Sequence, residues 1–210
     1  MEKVNQFIET ENLVGIVNYN LIINRFYDEW FLVNNDVIDI EDSLIDYLLS
    51  FFSEKKIDEA LKMVKLKNEI KFTPLSKLSK TERKKFRLAF AFLSKKEKIL
   101  LVDFDQGFFE KENSYFKQLF LKLANKYNIK FIVCTNKIEF FFGLVKKLVL
   151  CKPNGYAILE NDIFYDNEIY FYLEQPKVVE FVKYLEKKEI KMEHYIELKE
   201  LLKAIYRDVS

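Results

Sequence analysis

Two short, wholly apolar runs constrain the fold of this chain more than any other feature. Residues 99–102 (Ile-Leu-Leu-Val) stop at Asp103, and residues 131–134 (Phe-Ile-Val-Cys) stop just before Thr135 and Asn136. Each is too short for a buried helix and shows no polar alternation, which predicts strands buried on both faces. Between them, residues 112–127 carry apolar side chains at helical spacing. Parallel strands need a crossover of this kind, so the pair predicts a parallel sheet with helices on its faces.

The same pattern extends in both directions. Residues 12–17 and 30–33 read as short strands, with a helix expected over 20–30 between them. Helices are expected at 41–52 and 57–64, the second ended by Thr73-Pro74. Residues 79–94 open with Ser79-Lys80-Thr81-Glu82, a serine cap with glutamate three places on. A short helix at 139–145, a strand at 147–151, a Pro153-Asn154-Gly155 turn and a strand at 156–159 follow. Residues 168–174, 176–188, 190–195 and 198–206 read as a small βαβα module. The predicted class is therefore α/β, with a core over 1–162 and an accessory module over 163–210. In such sheets ligands gather at the carboxyl ends of strands, where Asp103 and Asn136 fall.

Charge excludes some partners. The 34 basic and 33 acidic side chains nearly cancel, and no block of one sign stands out, so no attraction to nucleic acid is expected. Cys134 and Cys151 belong to no CxxC pair and read as buried thiols. His194 is the single histidine, without the neighbours that a metal site or a catalytic triad needs. No metal is expected. The longest apolar runs fall far short of a membrane span, and the start shows no signal-peptide pattern. A cytoplasmic chain, reaching a membrane only through a partner, is expected.

Four ordered features carry a family resemblance. Leu78-Ser79-Lys80-Thr81-Glu82 and the helix after it resemble the signature segment of ATP-binding cassette (ABC) ATPases, the nucleotide-binding subunits of ABC transporters. Residues 98–103 resemble their Walker B strand, and 131–136 the switch strand. Asn154-Gly155-Tyr156-Ala157-Ile158 resembles the family's Asn-Gly hairpin. The resemblance implies a P-loop NTPase-like fold, with a helical subdomain over about 36–94 and a reduced antiparallel β-subdomain. Asn34 and Asn35 fall in the Q-loop-like segment, where glutamine is usual. The accessory module is similar in order to the tail of drug- and bacteriocin-export subunits.

The resemblance also shows what has been replaced. By order, the Walker A loop falls on residues 18–26. Its glycines are then Asn18, Leu21 and Ile23, and only Asn20 keeps its type. A phosphate cradle needs glycine because the backbone must approach closely and adopt unusual dihedrals. The phosphate-neutralising lysine becomes Asn24, and the Mg²⁺-binding hydroxyl becomes Arg25 or Phe26. Asp103 keeps the Walker B aspartate, but the water-polarising glutamate is Phe104, which cannot accept a proton. Asp105, one place further, is expected to point to the opposite face of an extended strand end. The switch histidine is Asn136. In the signature, Lys80 and Thr81 stand for glycines and Glu82 for glutamine.

These replacements lead to the expectation of a non-catalytic subunit, without bound cofactor, that docks on an ABC permease or pairs with an active ATPase subunit. A soluble scaffold reusing the fold is the alternative. A working ATPase with divergent motifs, binding ATP and Mg²⁺, is a second. Phenylalanines 104, 108, 109 and 140–142 are expected either to fill core or to plug the vacated nucleotide site.

Overall fold

The computed structural model describes residues 2–160, 162–190 and 192–208. Its centre is a six-stranded sheet in the order β2-β3-β4-β1-β5-β6. The strands are β1 (Leu13–Val17), β2 (Phe31–Val33), β3 (Lys98–Val102), β4 (Lys130–Cys134), β5 (Leu148–Lys152) and β6 (Gly155–Leu159). All neighbours pair in parallel except β5 and β6, which form the hairpin expected around Asn154-Gly155. The two diagnostic apolar runs lie side by side, with Leu100 opposite Ile132 and Val102 opposite Cys134.

The strands bury both faces, as continuous apolar runs require. The larger face carries Ile99, Leu101, Phe131, Val133, Leu148 and Leu150. It is covered by α4 (Lys80–Leu93), α5 (Glu110–Tyr127) and the single turn α6 (Ile138–Phe141). Gly15 of β1 lies beneath α6. A methyl there would come within 2.2 Å of Leu148 and 2.8 Å of Phe141, so only glycine admits this approach.

The smaller face presents Val14, Ile16, Leu100, Ile132, Cys134, Val149 and Cys151. Its cover differs from expectation. No α-helix spans 20–30; Tyr19–Leu21 and Ile23–Phe26 are 3₁₀ turns, and they seat Tyr19, Ile23 and Phe26 on the sheet with Trp30. β-Branched Ile22 and Ile23 and two asparagines make this stretch a weak helix former. The remaining cover is a helix not foreseen, α1 (Glu2–Thr10), which buries Val4 and Ile8. The i, i+3, i+4 spacing of Val4, Phe7 and Ile8 was its signal.

The helical subdomain contains α2 (Leu44–Leu49), α3 (Glu54–Met63) and α4. Ser79 caps α4 through the reciprocal bonds of a capping box with Glu82, as the sequence predicts. The accessory segment keeps its helices, α7 (Lys177–Lys187) and α8 (Leu198–Asp208), but not its strands. Residues 167–171 form a 3₁₀ turn, and among the described residues 190–197 hold no strand; Lys191, inside the expected strand, lies outside them. No helix among the described residues is long and apolar enough to cross a membrane.

Candidate functional site

The carboxyl ends of β1, β3 and β4 meet at Asp103. The residue has φ +47°, which ends the strand abruptly, and its N–H donates to the Cys134 carbonyl at 2.8 Å. From there residues 103–106 turn rather than continue extended. The expectation that Asp105 points to the opposite strand face therefore fails, because strand alternation stops at Val102.

Two side chains fix this turn, and neither was singled out from the sequence. Tyr19, in the loop after β1, donates its hydroxyl to Asp103 Oδ2 at 2.8 Å. Burial, and then the bond to Asp103, raise the Tyr19 pKa above its ordinary value, so it remains a donor. Lys84 enters from α4, fully buried, and donates to the carbonyls of Asp103 at 2.9 Å, Phe104 at 3.0 Å and Gln106. Burial pulls its pKa down to about 8, opposed by Asp105 and Asp103. A lysine among charged neighbours on a helix gives no sequence sign of such a role; only the fold turns it inward.

The loop after β1 runs into two 3₁₀ turns. Asn18 takes the left-handed conformation (φ 54°) and donates its amide to the Cys151 carbonyl at 2.9 Å. The following backbone coils into 3₁₀ turns, and Asn20, Asn24 and Arg25 point to solvent as exposed residues. The structure thus does not bring these three to Asp103. Tyr19 occupies the side of the aspartate that faces this loop.

Phe104 is buried in an aromatic cluster, 4.9 Å from Phe116, 5.3 Å from Phe120 and 5.2 Å from Phe108, centroid to centroid. Phe140, Phe141 and Phe142 are core residues as well, whereas Phe109 is 82% exposed. The buried members fill core, and the side chain that reaches Asp103 is Tyr19. Asn136 is exposed just beyond β4.

The signature-like and Q-loop-like segments are tied together by Arg83. It donates to the Asn35 carbonyl at 2.9 Å and to the Leu78 carbonyl. Asn34 is buried and bonds its amide to Asp36. Ser79 and Lys80 are exposed at the start of α4, while Thr81 packs toward Gly107, where a Cβ would lie 3.0 Å from its methyl. Next to the Q-loop-like segment lies an apolar groove of about 310 Å³, walled by Phe31, Val37, Ile38, Tyr47, Phe86 and Phe90. Phe90 contacts five aromatic rings there, those of Phe31, Tyr47, Phe51, Phe52 and Phe86. Val37, 71% exposed, marks its open rim.

No family model matches the sequence, and no curated protein does. Solved structures do. The chain is similar to an inward-facing metal-chelate type ABC transporter at 14% identity, TM-score 0.61, over 78% of this chain and 77% of that one. It is similar to cbiO1 from Clostridium perfringens, part of the ABC transporter complex cbiONQ, at 14% identity, TM-score 0.56, over 82% and 87%. A dimeric bacterial ABC transporter cassette matches at 19% identity, TM-score 0.51, over 62% of each chain. The mostly parallel six-stranded sheet with its helices agrees with these neighbours: the chain has the fold of an ABC transporter ATP-binding cassette.

Proposed function

We propose that this chain is a non-catalytic cassette subunit that docks on an ABC permease or pairs with an active cassette, without binding nucleotide. The observation that carries the reading is the Tyr19–Asp103 hydrogen bond, in which a side chain of the loop itself takes up the aspartate. Phosphoryl transfer depends on positioning and on charge stabilisation around the phosphates. The loop after β1 offers neither a helix N-terminus nor a lysine: 3₁₀ turns stand there, with Asn24 exposed at the lysine position. Phe104, buried among aromatic rings, cannot polarise water.

The docking half of the proposal rests on the Phe90 groove. An exposed apolar groove with an aromatic floor marks a protein contact more often than a solvated surface. The groove keeps its shape because Arg83 ties the Q-loop-like backbone to the start of α4. Of the neighbours, cbiO1 belongs to a transporter complex, and the 19%-identical cassette is dimeric.

The test is co-purification from membranes of cells that express the tagged chain. The wild type is expected to bring down an integral membrane protein, and Val37→Glu, at the open rim, to lose it. Equal recovery with both forms, or recovery of soluble proteins alone, contradicts docking through this groove.

A further inference from the structure

At the edge of the sheet opposite Asp103, just before β3 and β4 begin, the structure leaves an open cavity of about 500 Å³ beside the C-terminal ends of α3, α4 and α5. Its floor is apolar. Leu123 is buried there, and Met63, Phe92, Leu119 and Ile129 are half-buried. Tyr115 fixes one wall by donating its hydroxyl to the Met63 carbonyl at 2.7 Å, which ties α5 to the end of α3. The volume lies within the ordinary range of small-molecule sites, which combine apolar walls with a few polar groups.

The charge on these walls has one sign. Lys95, Lys96 and Lys122 stand there, all exposed, against the single carboxylate of Glu97. Among the described residues the ammonium groups of Lys95 and Lys122 form no ion pair or hydrogen bond, and Lys96 reaches only the Phe31 ring, 6.0 Å from its centroid. The C-terminal ends of α4 and α5 add roughly half a negative charge each. Lys65, 3.5 Å over the Tyr115 ring, and Lys126, 5.6 Å over the Tyr127 ring, more than offset them. The balance is positive, on a chain whose charges otherwise nearly cancel. Accessible cations beside a concave apolar floor suit a ligand with an anionic head and an apolar body.

We propose that this cavity binds a medium-chain carboxylic acid, its chain on the apolar floor and its carboxylate among Lys95, Lys96 and Lys122. The site shares no residue with the loop after β1 or with the Phe90 groove, so it stands apart from the reading above. The test is NMR titration of the full chain, labelled at its methionine methyls, with octanoate, octan-1-ol and octylammonium. Met63 lies on the cavity wall, whereas Met192, in the accessory segment, does not and serves as the internal reference. Octanoate is expected to move the Met63 signal with saturation and to leave Met192 in place. It is expected to bind about three- to tenfold more tightly than the alcohol at low salt, with the amine weakest, because exposed cations are partly screened. The preference for octanoate is expected to shrink as salt is raised, and in the double variant Lys96→Gln, Lys122→Gln, whose two positions are exposed. An unmoved Met63 signal, equal binding of acid and alcohol, binding of the amine as tight as that of the acid, or an unchanged preference in the double variant would overturn the proposal. The comparison of the three compounds on the unaltered chain needs no variant to fold.

Discussion

Tyr19 and Asp103 stand 84 positions apart in sequence and are joined by a 2.8 Å hydrogen bond across the carboxyl edge of the sheet. The bond ties the loop after β1 to the turn after β3. Hydrogen bonds to a charged partner contribute roughly 1.5–3 kcal/mol. Tyr19→Phe removes it with little change of shape, and urea unfolding is expected to show a loss of that order. An unchanged midpoint would mean that Asp103 is satisfied without Tyr19.

Lys84 holds three carbonyls of the 103–106 turn from a fully buried position. Lys84→Met keeps the apolar stem and strands those acceptors. Unsatisfied buried groups cost about 1–3 kcal/mol each, so a loss of at least ~2 kcal/mol is expected in the same unfolding assay.

Gly15→Ala tests the packing of β1 beneath α6. The added methyl meets Leu148 and Phe141, both fully buried. Overpacking of this kind costs about 1–3 kcal/mol, read as a lower thermal midpoint.

The pH dependence of stability follows from raised and lowered pKa values. The Tyr19 phenol holds its proton more tightly in the folded chain than its ordinary value of 10.0. The unfolded chain therefore loses that proton first, and the Tyr19 contribution, complete below pH 10, falls away as pH rises above it. Cys151, pushed by burial from 9.0 to about 11, acts the same way between those values. Lys84, depressed from 10.5 to about 8, acts oppositely, adding stability across its own window. The difference between wild type and Tyr19→Phe isolates one group. Wild type should lose more stability than the variant between about pH 10 and 11. Parallel curves would refute the Tyr19 shift.

Most of the fold was legible because its signals are local. The runs 99–102 and 131–134 have no plausible state except buried strand, and Ser79 with Glu82 announces the start of α4. The expected helix over 20–30 failed because its apolar residues suit either period. Packing of Tyr19, Ile23 and Phe26 onto the sheet decides for 3₁₀ turns. The accessory strands failed because short apolar runs suit turns as well as strands, and residues 167–171 coil into a 3₁₀ turn that buries Ile169.

The site was legible in part. Asp103 at the carboxyl end of β3 could be located from the apolar run before it. Tyr19 and Lys84 could not, since a tyrosine in a loop and a lysine in a basic stretch gain their roles only through long-range contacts. Asp105 was placed wrongly because alternation was extended past Val102, where Asp103 turns the chain.

The most direct test of the account is calorimetric titration of the purified chain with Mg-ATP and Mg-ADP at millimolar concentration. The account predicts no saturable heat, from the wild type or from Tyr19→Phe, because removing the tyrosine does not restore a phosphate cradle. Saturable binding of either nucleotide by the wild type would contradict it, and would mean that Tyr19 yields Asp103 to a phosphate-bound cation.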